Sequence, residues 1–459
     1  MAGIGFVLRR LTQRDDLIGI AQGYAYSAMI SAGPWVITIL ALSSINLFAG
    51  AFASIEDIAT FRIIVIYNFA FSLVFSGPII LVVTRYLADR IYLREIQGAV
   101  GALFGSMLLL FVVCTPVVVG FYLWMTDLPV LIAIMGIWGF FLTTGVWLVN
   151  VYVSALKDYT AITRAFAFGL AVSAAATIWG SQAFGLIGML VGFNLGLALI
   201  FFGLLARVFA EFPYLVSKPF AFLSYFRKYW ELAAIGLLMN VALWIDKWIM
   251  WWAPEREVLA GFVFYSDYDS AMFLAYLTTI PSLALFMIAV ETRFFISYQR
   301  FYADIQDHCS LKRMQENQQA IIDDILRSSR VLITLQGAIA AVTILAAPRI
   351  FDLFGISYSQ LGIFRFGVLG AFFHTLIMYQ LILLSYFDRR RYLTIIHTVL
   401  LVTNGTFTMI GLHLGFPFYG YGFFISTVVT VVIGFWLTWS VLSRLPFIAF
   451  LKSNDSLND

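Results

Sequence analysis

Apolar segments long enough to cross a lipid bilayer recur along the whole of this 459-residue chain. Only 12% of its residues are charged and 62% are hydrophobic, whereas a soluble protein carries about 25% charged residues. Because no soluble fold could bury this much apolar surface, the sequence predicts an all-α polytopic membrane protein.

A membrane span needs roughly 20 apolar residues, and twelve segments meet that length. The predicted spans are 22–49, 62–84, 98–124, 128–154, 162–181, 186–207, 232–252, 270–292, 331–348, 361–386, 392–413 and 419–442.

The distribution of basic residues predicts the orientation of these spans. With the N-terminus in the cytoplasm, the cytoplasmic segments hold 23 of the 28 Lys and Arg residues, and the opposite side holds 4. Lys247 completes the 28 from within a span. This bias follows the positive-inside rule and predicts that both termini are cytoplasmic.

The basic and aromatic segment 208–231 is predicted to be an interfacial cytoplasmic linker. It divides the chain into two lobes of six spans each, 1–207 and 232–459, arranged as parallel repeats about an axis along the membrane normal. The second lobe contains a cytoplasmic insertion, 294–330, rich in helix formers and in charges of both signs. We expect it to continue the eighth span into water and to return as the start of the ninth, either as a solvated connector or as a docking face for a cytoplasmic partner.

Two charges interrupt the seventh predicted span in the stretch LWIDKWIMWW, where Asp246 precedes Lys247. Asp246 lies about 21 Å into the span, in the outer half of the bilayer. Adjacent helical residues point about 100° apart, so the two side chains are not expected to face each other. The Asp246 side chain is too short to reach the interface and is expected to face the bundle interior or a water-filled cavity.

Lys247 shares a helix face with Asn240, Trp244 and Trp251, so that polar and indole groups alternate. Indole rings stack on the C–H faces of sugars and attract cations, which makes this stripe a candidate cavity lining. Alternatively, Lys247 extends to the outer interface and the tryptophans form an ordinary aromatic belt.

Three further charges are candidates for the transport cavity. Glu291 and Arg293 close the eighth span at its cytoplasmic edge, as a gate lining or as a simple interfacial pair. Arg85 lies at the cytoplasmic end of the second span.

Two Gly-Pro pairs lie inside predicted spans, Gly33-Pro34 and Gly77-Pro78. Proline removes a helix hydrogen bond and kinks the helix. The bends could face a central cavity or could be packing irregularities. The GxxxG spacings at 101–105 and 192–196 predict close helix packing.

The sequence contains no recognisable catalytic, metal-binding or phosphate-binding motif. Two cysteines and four scattered histidines form neither a disulfide framework nor a metal site. There is no phosphate-binding loop and no catalytic triad. We therefore expect no catalytic residues, no metal, no cofactor and no nucleic-acid partner, and a protein that is not an enzyme.

The N-terminal sequence MAGIGFVLRRL, followed by AYSAMISAGPWVITIL and SGPIILVVTRYLADRIY, resembles the PelG family, as does WIDK in the seventh span. That family comprises transporters of the bacterial inner membrane that serve the Pel exopolysaccharide system. The resemblance implies the multidrug/oligosaccharidyl-lipid/polysaccharide exporter (MOP) superfamily, with two six-helix lobes around a central cavity that the first and seventh helices line. It also implies a polymer rich in N-acetylgalactosamine as substrate. The implied partners are a cytoplasmic PelF-like glycosyltransferase, which uses a UDP-sugar, and the membrane proteins PelD and PelE.

The leading hypothesis is translocation of a growing N-acetylhexosamine-rich polysaccharide from a cytoplasmic synthase to the periplasm. The alternatives are a flippase for a lipid-linked oligosaccharide, an ion-coupled antiporter in which Asp246 binds a proton or cation, and a membrane scaffold that recruits the synthase. An embedded glycosyl- or acyltransferase would need a catalytic acid or histidine cluster at a membrane face, and the sequence has none.

Overall fold

The computed structural model describes residues 17–50 and 52–453, which are almost entirely helical. The helices are α1 Leu17–Ala49, α2 Ile55–Tyr92, α3 Ala99–Gly120, α4 Val130–Ala155, α5 Tyr159–Glu211, α6 Leu223–Lys228, α7 Trp230–Met250, α8 Ser266–Leu277, α9 Ile280–Ala289, α10 Phe295–Gln306, α11 Leu311–Phe354, α12 Leu361–Tyr386, α13 Arg390–Leu414, α14 Tyr421–Leu442 and α15 Leu445–Ser453. Two short strands, β1 Glu257–Leu259 and β2 Phe262–Phe264, form an antiparallel hairpin.

Within the described residues, ten helical segments are long and apolar enough to cross a membrane. One of them, the 53-residue α5, contains the two predicted spans 162–181 and 186–207. The predicted first span, 22–49, lies in α1, whose part from Gly33 onward is a shorter apolar helix. The multi-pass helical class is therefore confirmed, whereas the count of twelve and the cytoplasmic termini stay predictions.

Helix α5 is folded back on itself at Gly185, whose backbone has φ 55° and ψ −137°. L-residues rarely adopt this conformation, but glycine adopts it without steric cost. The two arms then approach closely, since a Cβ at Gly188 would lie 2.1 Å from the carbonyl oxygen of Gly180. Farther along, a Cβ at Gly192 would lie 2.4 Å from the backbone of Ala176. The close packing predicted for the 192–196 spacing is confirmed, with the first arm as its partner.

The other GxxxG spacing packs differently from the prediction. A Cβ at Gly101 would lie 1.8 Å from the carbonyl oxygen of Ser217, and one at Gly105 would lie 1.8 Å from that of Pro219. Residues 212–218 have no regular secondary structure. The expectation of helix packing is wrong here, because the small face of α3 receives the backbone of an irregular segment.

The predicted insertion 294–330 is helical, as expected. A π-helical turn, Val290–Phe294, joins α9 to α10 without a break. After a short turn, α11 starts behind Ser310, whose hydroxyl accepts a hydrogen bond from the backbone N–H of Arg313. Such N-caps satisfy amide groups that the first turn of a helix leaves unpaired.

Contacts divide the described chain into two compact units. The first unit comprises residues 33–265, and the second comprises residues 17–32 together with 266–453. In the first unit α7 packs along α2. The predicted lobes 1–207 and 232–459 are defined by repeat symmetry rather than by contact, and they stay a prediction.

Candidate functional site

The helices α2 and α7 run antiparallel within the first unit. At one end, the ring of Tyr67 stacks on that of Trp251 with centroids 4.8 Å apart. At the other end, the guanidinium of Arg85 lies 5.2 Å from the ring centroid of Tyr229. The candidates Trp251, directly after α7, and Arg85, in α2, therefore lie at opposite ends of the helix pair.

The two helices cross at a pair of glycines. A Cβ at Gly77 would lie 2.2 Å from the carbonyl oxygen of Gly236, and a Cβ at Gly236 would lie 2.2 Å from that of Gly77. The same Cβ at Gly77 would come within 2.6 Å of the Asn240 amide nitrogen, which donates to the carbonyl oxygen of Gly236 at 2.8 Å. The Gly77-Pro78 pair thus marks a backbone-to-backbone contact, and Asn240 is buried beside it.

The other Gly-Pro pair lies in α1, which continues as a helix through Pro34. Gly33 is buried. The hydroxyl of Thr38 donates to the carbonyl oxygen of Pro34 at 2.7 Å. A role of either Gly-Pro pair in bending a helix around a transport path stays a prediction.

Asp246 and Lys247 form an ion pair with each other. The Lys247 ammonium donates to both carboxylate oxygens of Asp246, at 3.1 and 3.0 Å, and to the carbonyl oxygen of Leu243 at 3.1 Å. The expectation that these neighbours do not face each other is wrong. Four methylene groups let the lysine side chain fold back along its own helix, so the angle between the two Cα–Cβ bonds does not decide the contact.

Both charges are buried: Asp246 is 0% exposed and Lys247 is 8% exposed. Charges removed from water require close compensation, which the ion pair supplies. Neither of the two cavities described below is lined by these residues. A ligand would contact them only in a conformation that exposes them.

The two candidate tryptophans have different surroundings. Trp251 is buried and stacked on Tyr67, so its ring face is occupied. Trp244 is half-buried, with the Lys247 ammonium 6.0 Å from its ring centroid. Of the two, only Trp244 combines partial exposure with a position beside the ion pair.

A β-hairpin that the sequence analysis missed packs at the Tyr67 end of the helix pair. Its turn residues Ala260 and Gly261 both have positive φ, 48° and 82°, as a two-residue type I′ turn requires. The Tyr67 hydroxyl donates to the carbonyl oxygen of Val263 at 2.5 Å. Phe262 is fully buried, 4.9 Å from the Tyr67 ring. The only sequence signal was Ala-Gly between two short apolar runs.

Polar groups inside the first unit form a second feature that the sequence analysis missed. The Tyr122 hydroxyl donates to Asn68 at 2.8 Å, and the Asn68 amide donates to the carbonyl oxygen of Gly136 at 3.0 Å. The indole N–H of Trp147 donates to Ser72 at 3.0 Å. Isolated Asn and Ser residues within apolar spans were the available signal.

The remaining candidate charges lie elsewhere. Arg85 forms an ion pair with Asp89 at 3.1 Å, at the end of the α2–α7 pair opposite the hairpin. Arg293 belongs to the second unit, where its side chain is exposed in the π-helical turn. Glu291 lies in the same turn, but its side chain is outside the described part of the structure.

The insertion of the second unit carries its own polar network. Asp304 accepts hydrogen bonds from the Arg313 guanidinium at 2.9 Å and from the Asn317 amide at 2.6 Å. These hydrogen bonds, that of Arg313 first, hold the pKa of Asp304 below its usual range. They tie α10 to the start of α11.

The open cavities at the surface of the described residues include the following two. One of about 870 Å³ adjoins the insertion, lined by Cys309, Leu311, Met314, Gln315, Gln318, Ser443, Arg444, Pro446 and Phe447. The other, of about 620 Å³, lies between the start of α2 and the hairpin. Within the described ranges, no group of three or more His, Cys, Asp or Glu side chains could hold a metal ion.

The fold is that of transporters of the MOP superfamily. A MOP superfamily transporter from Pyrococcus furiosus superposes with a TM-score of 0.63 at 16% identity, over 92% of this chain and 96% of that chain. A MATE transporter in the bent conformation gives 0.66 at 15% identity, over 97% and 98%. An inward-facing multidrug resistance MATE transporter gives 0.64 at 14% identity, over 96% and 99%. At these identities the likeness shows the fold alone.

The chain also matches the PelG family, described as an exopolysaccharide exporter (EPS-E), over residues 1–450. It belongs to that family, as the N-terminal and WIDK resemblance indicated. No curated protein matched the chain. It is thus a multi-pass membrane protein of an exporter family, and the family implies a polysaccharide substrate. Its relatives in family and fold are transporters rather than enzymes.

Proposed function

We propose that the protein translocates a growing, N-acetylhexosamine-rich exopolysaccharide of the Pel type across the bacterial inner membrane, while a cytoplasmic glycosyltransferase extends it. The observation that carries this proposal is the match to the exopolysaccharide exporter family over residues 1–450. The protein itself makes and breaks no covalent bond in this scheme.

The candidate residues of α7 would contact the sugar chain. Asp246 and Lys247 offer hydrogen-bond acceptors and donors, and Trp244 offers an apolar ring face for the C–H surface of a sugar. Both charges are buried in this conformation, so contact with substrate requires a second conformation. Asn240 donates to Gly236 within α7, and Trp251 stacks on Tyr67 of α2, which favours a supporting role for both residues.

The test is the double substitution Asp246→Asn with Lys247→Gln in a polymer export assay, with membrane levels measured in parallel. It removes both charges while keeping hydrogen-bonding groups of similar size. A partly exposed ion pair supplies the control: Asp158→Asn with Arg207→Gln removes a 2.8 Å contact between the residue that caps the start of α5 and one near its end. We expect lost export only in the first variant. Normal export at normal membrane levels would exclude the proposed role of the α7 pair.

Two alternatives share the same fold. A flippase would move a lipid-linked oligosaccharide, and an ion-coupled antiporter would use Asp246 as a cation or proton site. In this conformation the Lys247 ammonium neutralises that carboxylate at 3.0 Å, which disfavours binding of another cation. Transport that depends on sodium or on membrane potential would support the antiporter.

A scaffold role is compatible with export. The insertion is a helical pair whose residues Leu311 and Leu326 are exposed, and the glycosyltransferase, PelD and PelE are the partners implied by the family resemblance. Leu311→Glu with Leu326→Glu changes this surface without removing the Asp304 network. Reduced co-purification of the glycosyltransferase would support docking there, and unchanged recovery would exclude this surface.

A further inference from the structure

The segment that links α5 to α7, residues 212–228, is held to the protein through its backbone. The carbonyl oxygens of Ser217 and Pro219 lie where the Cβ atoms of Gly101 and Gly105 would be. The Ser217 hydroxyl donates to the carbonyl oxygen of Gln97 at 3.5 Å. Because the backbone packs on the glycines of α3, the position of the segment is fixed. Many of its side chains remain at the surface.

Several of those side chains are large, apolar and exposed. Leu215 is 92% exposed and Val216 is 56% exposed, and Tyr214, Phe220 and Leu223 are exposed as well. Exposed apolar side chains grouped in so short a segment favour interaction with another apolar surface.

The charge of the segment is of one sign. Residues 212–230 contain Lys218, Arg227 and Lys228 and no Asp or Glu, and all three basic side chains are exposed. A surface that combines exposed apolar residues with lysine and arginine is suited to the bilayer interface, where acyl chains lie beside phosphate groups.

The position of the segment between two membrane spans favours lipid over protein as its binding partner. It follows directly on α5 and precedes α7, both long and apolar enough to cross a membrane. A short segment that joins two membrane spans and packs on the start of a third is held close to the ends of those spans, which favours lipid headgroups as its neighbours. We propose that residues 212–228 form a binding surface for anionic phospholipid, with the apolar side chains inserted among the acyl chains and the basic residues on the headgroup phosphates.

Depth in the bilayer can be measured at Leu215. In a Cys309→Ser background, where the remaining Cys114 is buried, Leu215→Cys is labelled with an environment-sensitive fluorophore. The protein is placed in nanodiscs of phosphatidylcholine and phosphatidylglycerol. Leu311→Cys is the control, since it is an exposed leucine, at 63%, in the insertion that is expected to lie in water.

We expect a blue-shifted emission for the label at position 215, with quenching by nitroxides on the lipid headgroup, and an aqueous emission at position 311. An aqueous emission at position 215 in nanodiscs would overturn the proposal. If that label were then shielded only on addition of the glycosyltransferase, the surface would be a protein-docking site instead.

Headgroup selectivity is tested with Lys218→Gln, Arg227→Gln and Lys228→Gln combined. Native mass spectrometry of protein released from mixed nanodiscs should show a loss of retained phosphatidylglycerol and no change in retained phosphatidylcholine. The control combines Lys312→Gln, Arg327→Gln and Arg330→Gln, three exposed basic residues of the insertion. Equal phosphatidylglycerol retention in the two triple variants would overturn the assignment of headgroup binding to the segment.

Discussion

The ammonium of Lys247 lies 3.0 Å from a carboxylate oxygen of Asp246, its neighbour in sequence, and the pair is buried in α7. Each charge therefore receives from the other part of the stabilisation that water would otherwise supply. Removing one partner leaves the other charge buried without its ion-pair partner, which costs about 3–5 kcal/mol at a buried site. Removing both costs far less.

Single and double substitutions at this pair should consequently be non-additive. We expect Asp246→Leu or Lys247→Met alone to lower the thermal stability of the detergent-purified protein strongly, and the double variant to recover most of the loss. Thermal unfolding followed by fluorescence-detected gel filtration measures this. Additive losses, in which the double variant loses the sum of the two single-variant losses, would mean that the two charges do not stabilise each other.

The glycine crossing of α2 and α7 allows no side chain. Gly77→Ala would place a methyl group 2.2 Å from the carbonyl oxygen of Gly236, so the helices must separate. Overpacking of this kind costs about 1–3 kcal/mol, or more where backbone must move. Gly337→Ala is the matched control, since its Cβ meets only Phe372 at 3.7 Å. We expect reduced folded yield for the first variant alone, measured as the monodisperse fraction after detergent extraction.

The membrane class and the apolar spans could be predicted from the sequence because a run of about 20 apolar residues has few alternatives. The break between 181 and 186 was also predictable, and it coincides with Gly185. The segments that pack against the glycines could not be predicted. A GxxxG spacing indicates a close approach, but nothing local to Gly101 shows that Ser217 provides it.

The candidate site was only partly predictable for a similar reason. The structure buries Asn240, Lys247 and Trp251, but their role as a cavity lining stays a prediction. Sequence spacing placed these three residues on one helix face with Trp244. It failed on the Asp246–Lys247 contact, because a helical wheel treats side chains as rigid radial vectors and ignores the reach of lysine. It also missed the hairpin, since strands of three residues are too short for an alternating pattern to be recognised.

The reversal of α5 depends on the backbone of one residue. Gly185→Ala introduces no clash, because the nearest atom is 3.5 Å from the new Cβ. Its φ of 55° with ψ of −137° is nevertheless strained for an L-residue, at a cost of about 1–3 kcal/mol. Gly203→Ala, in the same helix with nothing within 4 Å, should be neutral or slightly stabilising. Thermal unfolding should separate the two variants, and equal midpoints would contradict the strain argument.

Burial of Phe262 should hold the hairpin to the α2–α7 pair. Phe262→Ala removes a fully buried ring that packs on Tyr67 and Phe121, a change that costs about 3–5 kcal/mol in a well-packed core. Val258→Ala, at an exposed position of the partner strand, is the control. We expect faster hydrogen exchange over 257–264 only in the first variant, and unchanged exchange would show that the ring does not anchor the hairpin.

The Asp304 network should make the insertion sensitive to acid. The folded-state pKa of Asp304 is depressed by its hydrogen bonds to Arg313 and Asn317, so the unfolded state binds the proton more tightly. The stabilisation is present above the unfolded pKa of about 3.9 and is lost as the pH falls through the lower folded value. Protection factors from hydrogen exchange over 295–330 should therefore fall below about pH 4 in the wild type. Asp304→Asn should show low protection already at pH 7 and little further change as the pH falls. The control is Asp323→Asn, because the exposed Asp323 carboxylate accepts a hydrogen bond from Gln319 of the same helix at 2.9 Å. We expect this variant to behave as the wild type.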